Sequence, residues 1–285
     1  MSVSFEKAVD EVLSDKFNKV NIAVFTFITA ALGSVQLIFQ PQLQNSSNQP
    51  EYAQAVLICF IAALCAAVIS AGYGALAAHR GAQGKYEIFP SASEMGSIIL
   101  TGIKSLCGSF ILAVLFFIPF IIITVFSAVF SGAFFRSSGI LTFVLLFCIG
   151  FTVCIAWLLF CLFKFFIPLY LMFADTLQFS AFFAFGRIKS FLEAREGYYS
   201  KYIINAFFLP ICLAIVFLIV LFIICIFFAA AGAASLKAGT PAGFAFKFIV
   251  YLLSLIFQIF ISLIIISLNA QFIRIGRVNQ TAEEN

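Results

Sequence analysis

An all-α membrane protein with six transmembrane helices and two or three amphipathic helices in the cytoplasmic interface is the architecture this sequence predicts. Three observations predict it. Of 285 residues, 64% are hydrophobic and only 10% charged, whereas a soluble domain is roughly half apolar and a quarter charged. The mean hydropathy is +1.15. Apolar runs long enough to cross a bilayer, about 20 residues each, recur along the whole chain. A soluble globular enzyme is excluded by these figures.

Six spans are expected at 20–39, 54–78, 106–131, 139–163, 206–231 and 244–269. No stretch between them could form an independent soluble domain, so residues 1–285 read as one membrane domain. Within it come an amphipathic segment (1–19), a first hairpin (20–78) and an interfacial helix with a second hairpin (92–163). An interfacial helix with a third hairpin (175–269) and a tail (270–285) complete the chain. Basic residues orient it. Lys7, Lys16, Lys19, Arg80, Lys85, Lys104, Lys164, Arg187, Lys189, Arg195, Lys201, Arg274 and Arg277 fall on one side, with only Arg136, Lys237 and Lys247 on the other. Positive charge accumulates on the cytoplasmic side, which places both termini there. The basic residues orient helices from short loops, so nucleic acid is not an expected partner.

In chain order, residues 3–18 carry Phe5, Val9, Val12, Leu13 and Phe17 at helical spacing, with Glu6, Lys7, Asp10, Glu11 and Asp15 between them. This amphipathic helix is expected in the cytoplasmic interface or on a partner's surface. A polar stretch precedes the first span and no small-residue cleavage site follows it, so the span is expected to remain as an anchor. The first external loop holds the sequon Asn45-Ser46-Ser47, a single short match. The second span carries Ala62, Ala66, Ser70, Gly74 and Ala78 in one row, beside Ala63, Ala67, Ala71 and Ala75. Small residues at that spacing let helix backbones approach, within the monomer or across a dimer seam.

Ser91 and Glu94 have capping-box spacing and place a helix start near Ala92. A helix running unbroken from there to Phe130 would be twice the bilayer's thickness. An interfacial helix over 92–104, an elbow between Gly102 and Gly108 and a kink at Pro119 are therefore expected. Leu177, Phe185, Ile188 and Leu192 suggest a second interfacial helix over 175–196, followed by a span kinked at Pro210. Phe116-Phe117-Ile118-Pro119 and Phe207-Phe208-Leu209-Pro210 hint at a repeated unit of interfacial helix plus hairpin.

Two stretches carry a resemblance. One runs Gly72-Tyr73, Arg80, Gly84, Phe89-Pro90, Gly102 and Lys104; the other runs from Ala174-Asp175 through Phe179-Ser180-Ala181-Phe182 to Arg187-Ile188. Together with the six-span hydropathy, they resemble an uncharacterised family of prokaryotic polytopic integral membrane proteins built on a domain of unknown function. The resemblance implies a bacterial or archaeal cytoplasmic membrane and brings no catalytic residues with it.

Chemistry-bearing motifs are scarce. The eight cysteines form no C-x-x-C, and one histidine, His79, leaves no Cys/His metal set. No phosphate-binding loop, H-E-x-x-H or G-x-S-x-G motif occurs. No catalytic residue, cofactor site or metal site is expected. Polar residues within spans, such as Gln36, Thr124, Thr142, Thr152, Asn205, Gln258 and Asn269, fit interhelical hydrogen bonding. Candidate contacts for a lipid headgroup or a partner are Tyr73, His79, Arg80, Lys85, Asp175, Arg187 and Lys189. For Asp175 the plainer role is capping the second interfacial helix. The leading functional expectation is a non-catalytic membrane module that scaffolds a partner or organises lipid. A transporter or channel for an uncharged or lipidic substrate is the alternative, and a membrane enzyme acting on lipid headgroups the third. The expected partners are membrane lipids, with a protein partner or a second copy of the chain as further options.

Overall fold

The computed structural model describes residues 3–14, 19–45, 50–85, 88–232 and 241–283. Every regular element among them is helical. The chain runs through α1 (Phe5–Leu13), α2 (Lys19–Asn45), α3 (Pro50–Ala82) and a short 3-10 turn into α4 (Met95–Cys161). A π-helical segment, Leu162–Phe166, leads to α5 (Ile167–Thr176); two 3-10 turns then precede α6 (Ile188–Glu193). After α7 (Tyr198–Ile203), a second π segment, Ile204–Phe208, leads into α8 (Leu209–Gly232), and α9 (Pro241–Glu283) closes the chain.

Among the described residues, five segments are long and apolar enough to cross a membrane: Tyr52–Ala82, Ala92–Pro119, Cys148–Thr176, Tyr198–Ile223 and Ile249–Val278. The expected first span, 20–39, falls on α2, which is apolar over Lys19–Leu32. Large apolar side chains stand exposed along these segments, with Phe110 70% and Phe222 66% accessible. Lipid is the solvent that makes such exposure favourable.

The helix start beside Ser91 forms as expected, with the Glu94 carboxylate accepting a 3.2 Å hydrogen bond from the Ser91 amide. The expected elbow does not. Helix α4 continues through Gly102 and Gly108, because those glycines serve close packing instead of bending. A Cβ at Gly102 would overlap the Val68 carbonyl, and one at Gly72 would overlap the Ile98 carbonyl. Helices α3 and α4 thus cross at these two glycines, backbone against backbone. At Gly108 a Cβ would overlap the ring of Phe182.

Helical hydrogen bonding continues through the expected turn at 132–138, yet α4 cannot be straight. Phe116 and Phe165 have ring centroids 6.0 Å apart, whereas a straight helix would separate them by about 70 Å. The chain therefore reverses between them and forms a hairpin. Leu112 and Leu169 then meet in one core cluster with Phe173 and Phe182.

The expected interfacial helix over 175–196 is also corrected. Leu177 takes the left-handed conformation at φ 55°, ending α5, and the chain proceeds in short 3-10 turns to α6. Burial breaks the helix: Phe182 reaches Gly108, and Arg195 is only 1% exposed. A helix forms at the N-terminal end as α1, with Val3, Ala8 and Val12 buried in the main core together with residues of α9. Phe5, Val9 and Val12 of the expected apolar stripe thus pack on the chain itself, while Leu13 stays exposed.

The small-residue row of α3 is only partly internal. Ala62, Gly74 and Ala78 are buried, Ala66 is half-buried and Ser70 is exposed. Pro119 lies inside α4, within the stretch where the chain reverses. Pro210 stands two residues after the second π segment, and Pro168 stands in the same relation to the first. Phe165-Phe166-Ile167-Pro168 is a further copy of the Phe-Phe-x-Pro motif. A proline lacks the amide that the carbonyl four residues earlier would accept and crowds that carbonyl. Those carbonyls belong to Lys164 and Ala206, and both lie in π turns, whose wider register accommodates the clash. Lys16, Glu87 and the sequon's Ser46 and Ser47 lie outside the described residues, as do the side chains of Gln36, Asn45, Thr124 and Thr142.

Candidate functional site

The end of the molecule where α3 finishes, α4 begins, α5 finishes and α7 begins gathers its buried polar chemistry. At its centre is Arg195. The guanidinium donates through Nη1 to the Phe191 carbonyl at 2.8 Å, and through Nε and Nη2 to the Phe272 and Ile273 carbonyls at 3.2 Å each. It lies 3.8 Å above the Phe191 ring, a cation–π distance, and 3.7 Å from Asp175 Oδ2. Gly276 makes this possible, since a Cβ there would overlap the guanidinium. Burial pushes the Arg195 pKa down to about 10; Asp175 opposes that fall and Arg277 adds to it. The side chain stays charged at neutral pH.

The other Asp175 oxygen, Oδ1, accepts from Arg277 Nε at 2.9 Å and from Arg277 Nη2, which also reaches the Asp175 carbonyl at 3.1 Å. One carboxylate thus ties the end of α5, the segment before α7, and α9. It does not cap the next helical turn, whose N-cap residue is Gln178. Around this triad, Tyr202 donates to Asn269 Oδ1 at 2.6 Å, and Tyr199 to the Phe163 carbonyl in the first π segment. Asn205, in the second π segment, donates to the Val3 carbonyl at 3.3 Å. Glu11 of α1 accepts from Ser267 at 2.5 Å and from Gln271 at 3.4 Å.

The seven candidate contact residues do not form one constellation. His79 Nδ1 lies 3.2 Å from the Ala174 carbonyl and its Nε2 is 2.7 Å from Gln83, so it meets the Asp175 region. Arg80 turns to Glu94 at 2.5 Å and locks the capping box at the start of α4. Tyr73 is buried between Phe25 and Phe89, with ring centroids at 4.8 and 4.9 Å. Lys85 faces a separate small cavity beside α1 and α9. Arg187 and Lys189 are exposed, and Lys189 makes a surface pair with Glu193 at 3.6 Å. Of the seven, His79 reaches the backbone beside Asp175, and Asp175 shares a small cavity with Arg187.

Arg195 and Arg277 are the residues that sequence reasoning missed, having read both only as orienting charges. No local signal marks them, because their shared ionic partner, Asp175, lies 20 positions from Arg195 and 102 from Arg277. Among the described residues, no three His, Cys, Asp or Glu side chains gather as a metal site. A larger cavity of about 630 Å³ is lined by Lys164, Phe165, Phe185, Lys189 and Tyr199.

The stretches that carry the family resemblance build much of this end: Gly72 and Gly102 at the close crossing, Tyr73 against Phe89, Arg80 on Glu94, Asp175 in the triad and Phe182 over Gly108. The family model for a protein of unknown function, DUF4013, matches residues 55–225. Neither a curated protein nor a solved structure matches the chain. With most of its length matched by that family and five helices able to cross a bilayer, the chain is a multi-pass integral membrane protein and belongs to the DUF4013 family.

Proposed function

We propose that this protein is a non-catalytic, six-span module of a prokaryotic cytoplasmic membrane, whose cytoplasmic end is a braced platform that holds a partner or organises lipid. The observation that supports it most is the direction in which one buried charge, Arg195, and two half-buried ones, Asp175 and Arg277, point. Asp175, Arg195 and Arg277 are satisfied by one another and by backbone carbonyls. Groups that act on a substrate must reach it, whereas these cross-link segments distant in the sequence. The distribution of basic residues supports the cytoplasmic assignment for this end and for both termini. Counting α2 with the five longer segments supports six spans, with the reversal inside α4 separating the third from the fourth. The polar edge of α1 would then lie at the headgroup level.

A second reading, a carrier for an uncharged or lipidic substrate, draws on the 630 Å³ cavity beside the first π segment, since π turns recur at functional sites. Native membranes extracted as polymer nanodiscs separate the two. The platform reading predicts the intact chain with a stoichiometric protein or a fixed lipid complement, and no saturable solute flux after reconstitution. Saturable flux, or turnover of a defined substrate by the purified chain, would sink it.

A further inference from the structure

Between α1, the turn that ends α3 and the last third of α9 lies a cavity of about 110 Å³. That is space for several waters or one small anion. Its charged lining is lopsided. Lys7 comes from α1, Lys85 from the turn and Arg274 from α9, against a single carboxylate, Glu11. Glu11 is already engaged by Ser267 and Gln271. Among the described residues, a further carboxylate, Glu94, feels the charge of Lys85 but is bonded to Arg80. One wall is bare backbone at Gly81 and Gly84. Gly84 sits at φ +70°, a left-handed conformation that favours glycine, and brings the turn within ordinary contact of Arg274. All three cations are exposed at the rim of the cavity, so an anion seated in it would meet positive charge from three separate elements.

We propose that this cavity binds a dianionic phosphate, held by Lys7, Lys85 and Arg274. Two or three cations around one acceptor-rich anion give charge-assisted hydrogen bonds on several of its oxygens. A monoester lipid headgroup and free inorganic phosphate share that chemistry. The site rests on the membrane-module reading only for its position at the headgroup level. Helix α1 completes it, so the docked N-terminal helix becomes part of the binding site instead of a mere anchor.

The test uses the full chain in phosphatidylcholine nanodiscs, with and without phosphatidic acid, read by native mass spectrometry for retained lipid. A second arm titrates inorganic phosphate into phosphatidylcholine-only nanodiscs and follows the thermal unfolding midpoint. Lys85→Gln/Arg274→Gln and, on a separate element, Lys7→Gln are compared with Lys189→Gln, which lies outside the cavity. Retention of phosphatidic acid that falls more than about tenfold in the double variant, but not in Lys189→Gln, supports a headgroup ligand. A phosphate-dependent rise in midpoint with the same variant pattern, without lipid retention, supports the free ion. Equal retention in all variants together with no phosphate response overturns the site. The variants alter exposed side chains, and their midpoints without ligand report whether they fold. Failure of the site leaves the flux and turnover results of the platform reading untouched, and the reverse also holds.

Discussion

Replacing Arg195 is the most informative single perturbation of the polar end. Arg195→Ala removes three charge-assisted donors to backbone carbonyls, a cation–π contact and one of the two cations facing Asp175. It also empties the space that Gly276 leaves for the guanidinium. Breaking one side of a buried ion pair costs about 3–5 kcal/mol, and Arg277 holding the other Asp175 oxygen puts the expected loss toward the lower figure. Arg195→Lys keeps the charge but loses the planar fork, so it can serve only some of the three carbonyls, and the expected loss is about half as large. Arg195→Met keeps most of the bulk without charge and should fall close to alanine. A double-mutant cycle with Asp175→Asn should give a coupling of roughly 1–3 kcal/mol, the range for groups in direct contact. Unfolding titrated with sodium dodecyl sulfate in mixed micelles, followed by helicity, measures each variant. A loss for Arg195→Ala below about 0.5 kcal/mol, the level of an ordinary surface substitution, would refute the bracing argument.

Three further expectations can be checked with the same titration. Gly72→Ala must separate α3 from α4 and should cost about 1–3 kcal/mol as an overpacking defect; Gly74→Ala, whose Cβ would meet Ile266 at an ordinary 3.9 Å, should be near neutral. Tyr202→Phe leaves Asn269 without its buried 2.6 Å donor, and a loss of about 1–3 kcal/mol is expected. Phe182→Ala vacates a fully buried ring stacked on Phe173 at 4.7 Å and seated over Gly108, with an expected loss of about 3–5 kcal/mol.

The membrane class and the positions of the apolar helices were legible because they depend on local composition, which any window of the chain displays. The capping box at Ser91 and Glu94 was legible for the same reason. Gly102 and Gly108 misled, since a glycine in a helix can mark either a bend or a close approach, and only the partner decides. Here the partners are Val68 and Phe182, distant in sequence. The second interfacial helix failed similarly: its apolar periodicity at Leu177, Phe185, Ile188 and Leu192 says nothing of the demand to bury Phe182 and Arg195. Asp175 stands out in the sequence, but its partners could not be read, because one sequence does not reveal which of the thirteen cations expected on that side faces one carboxylate. The third Phe-Phe-x-Pro copy at Phe165–Pro168 was in plain view, and its π turn links it to Pro210.

Everything proposed for this protein depends on the polar end being one cytoplasmic layer, and topology mapping tests that most directly. Short epitope tags are placed beside Lys7, Lys85, Lys189 and Val278, and beside Asn45, in separate copies expressed in a bacterial host. Each is probed with antibody on spheroplasts before and after permeabilisation. The account predicts that the first four tags react only after permeabilisation and the Asn45 tag reacts before it. Tags beside Lys7, Lys85 and Val278 appearing on opposite sides, or Asn45 sharing a side with Lys85, would contradict it.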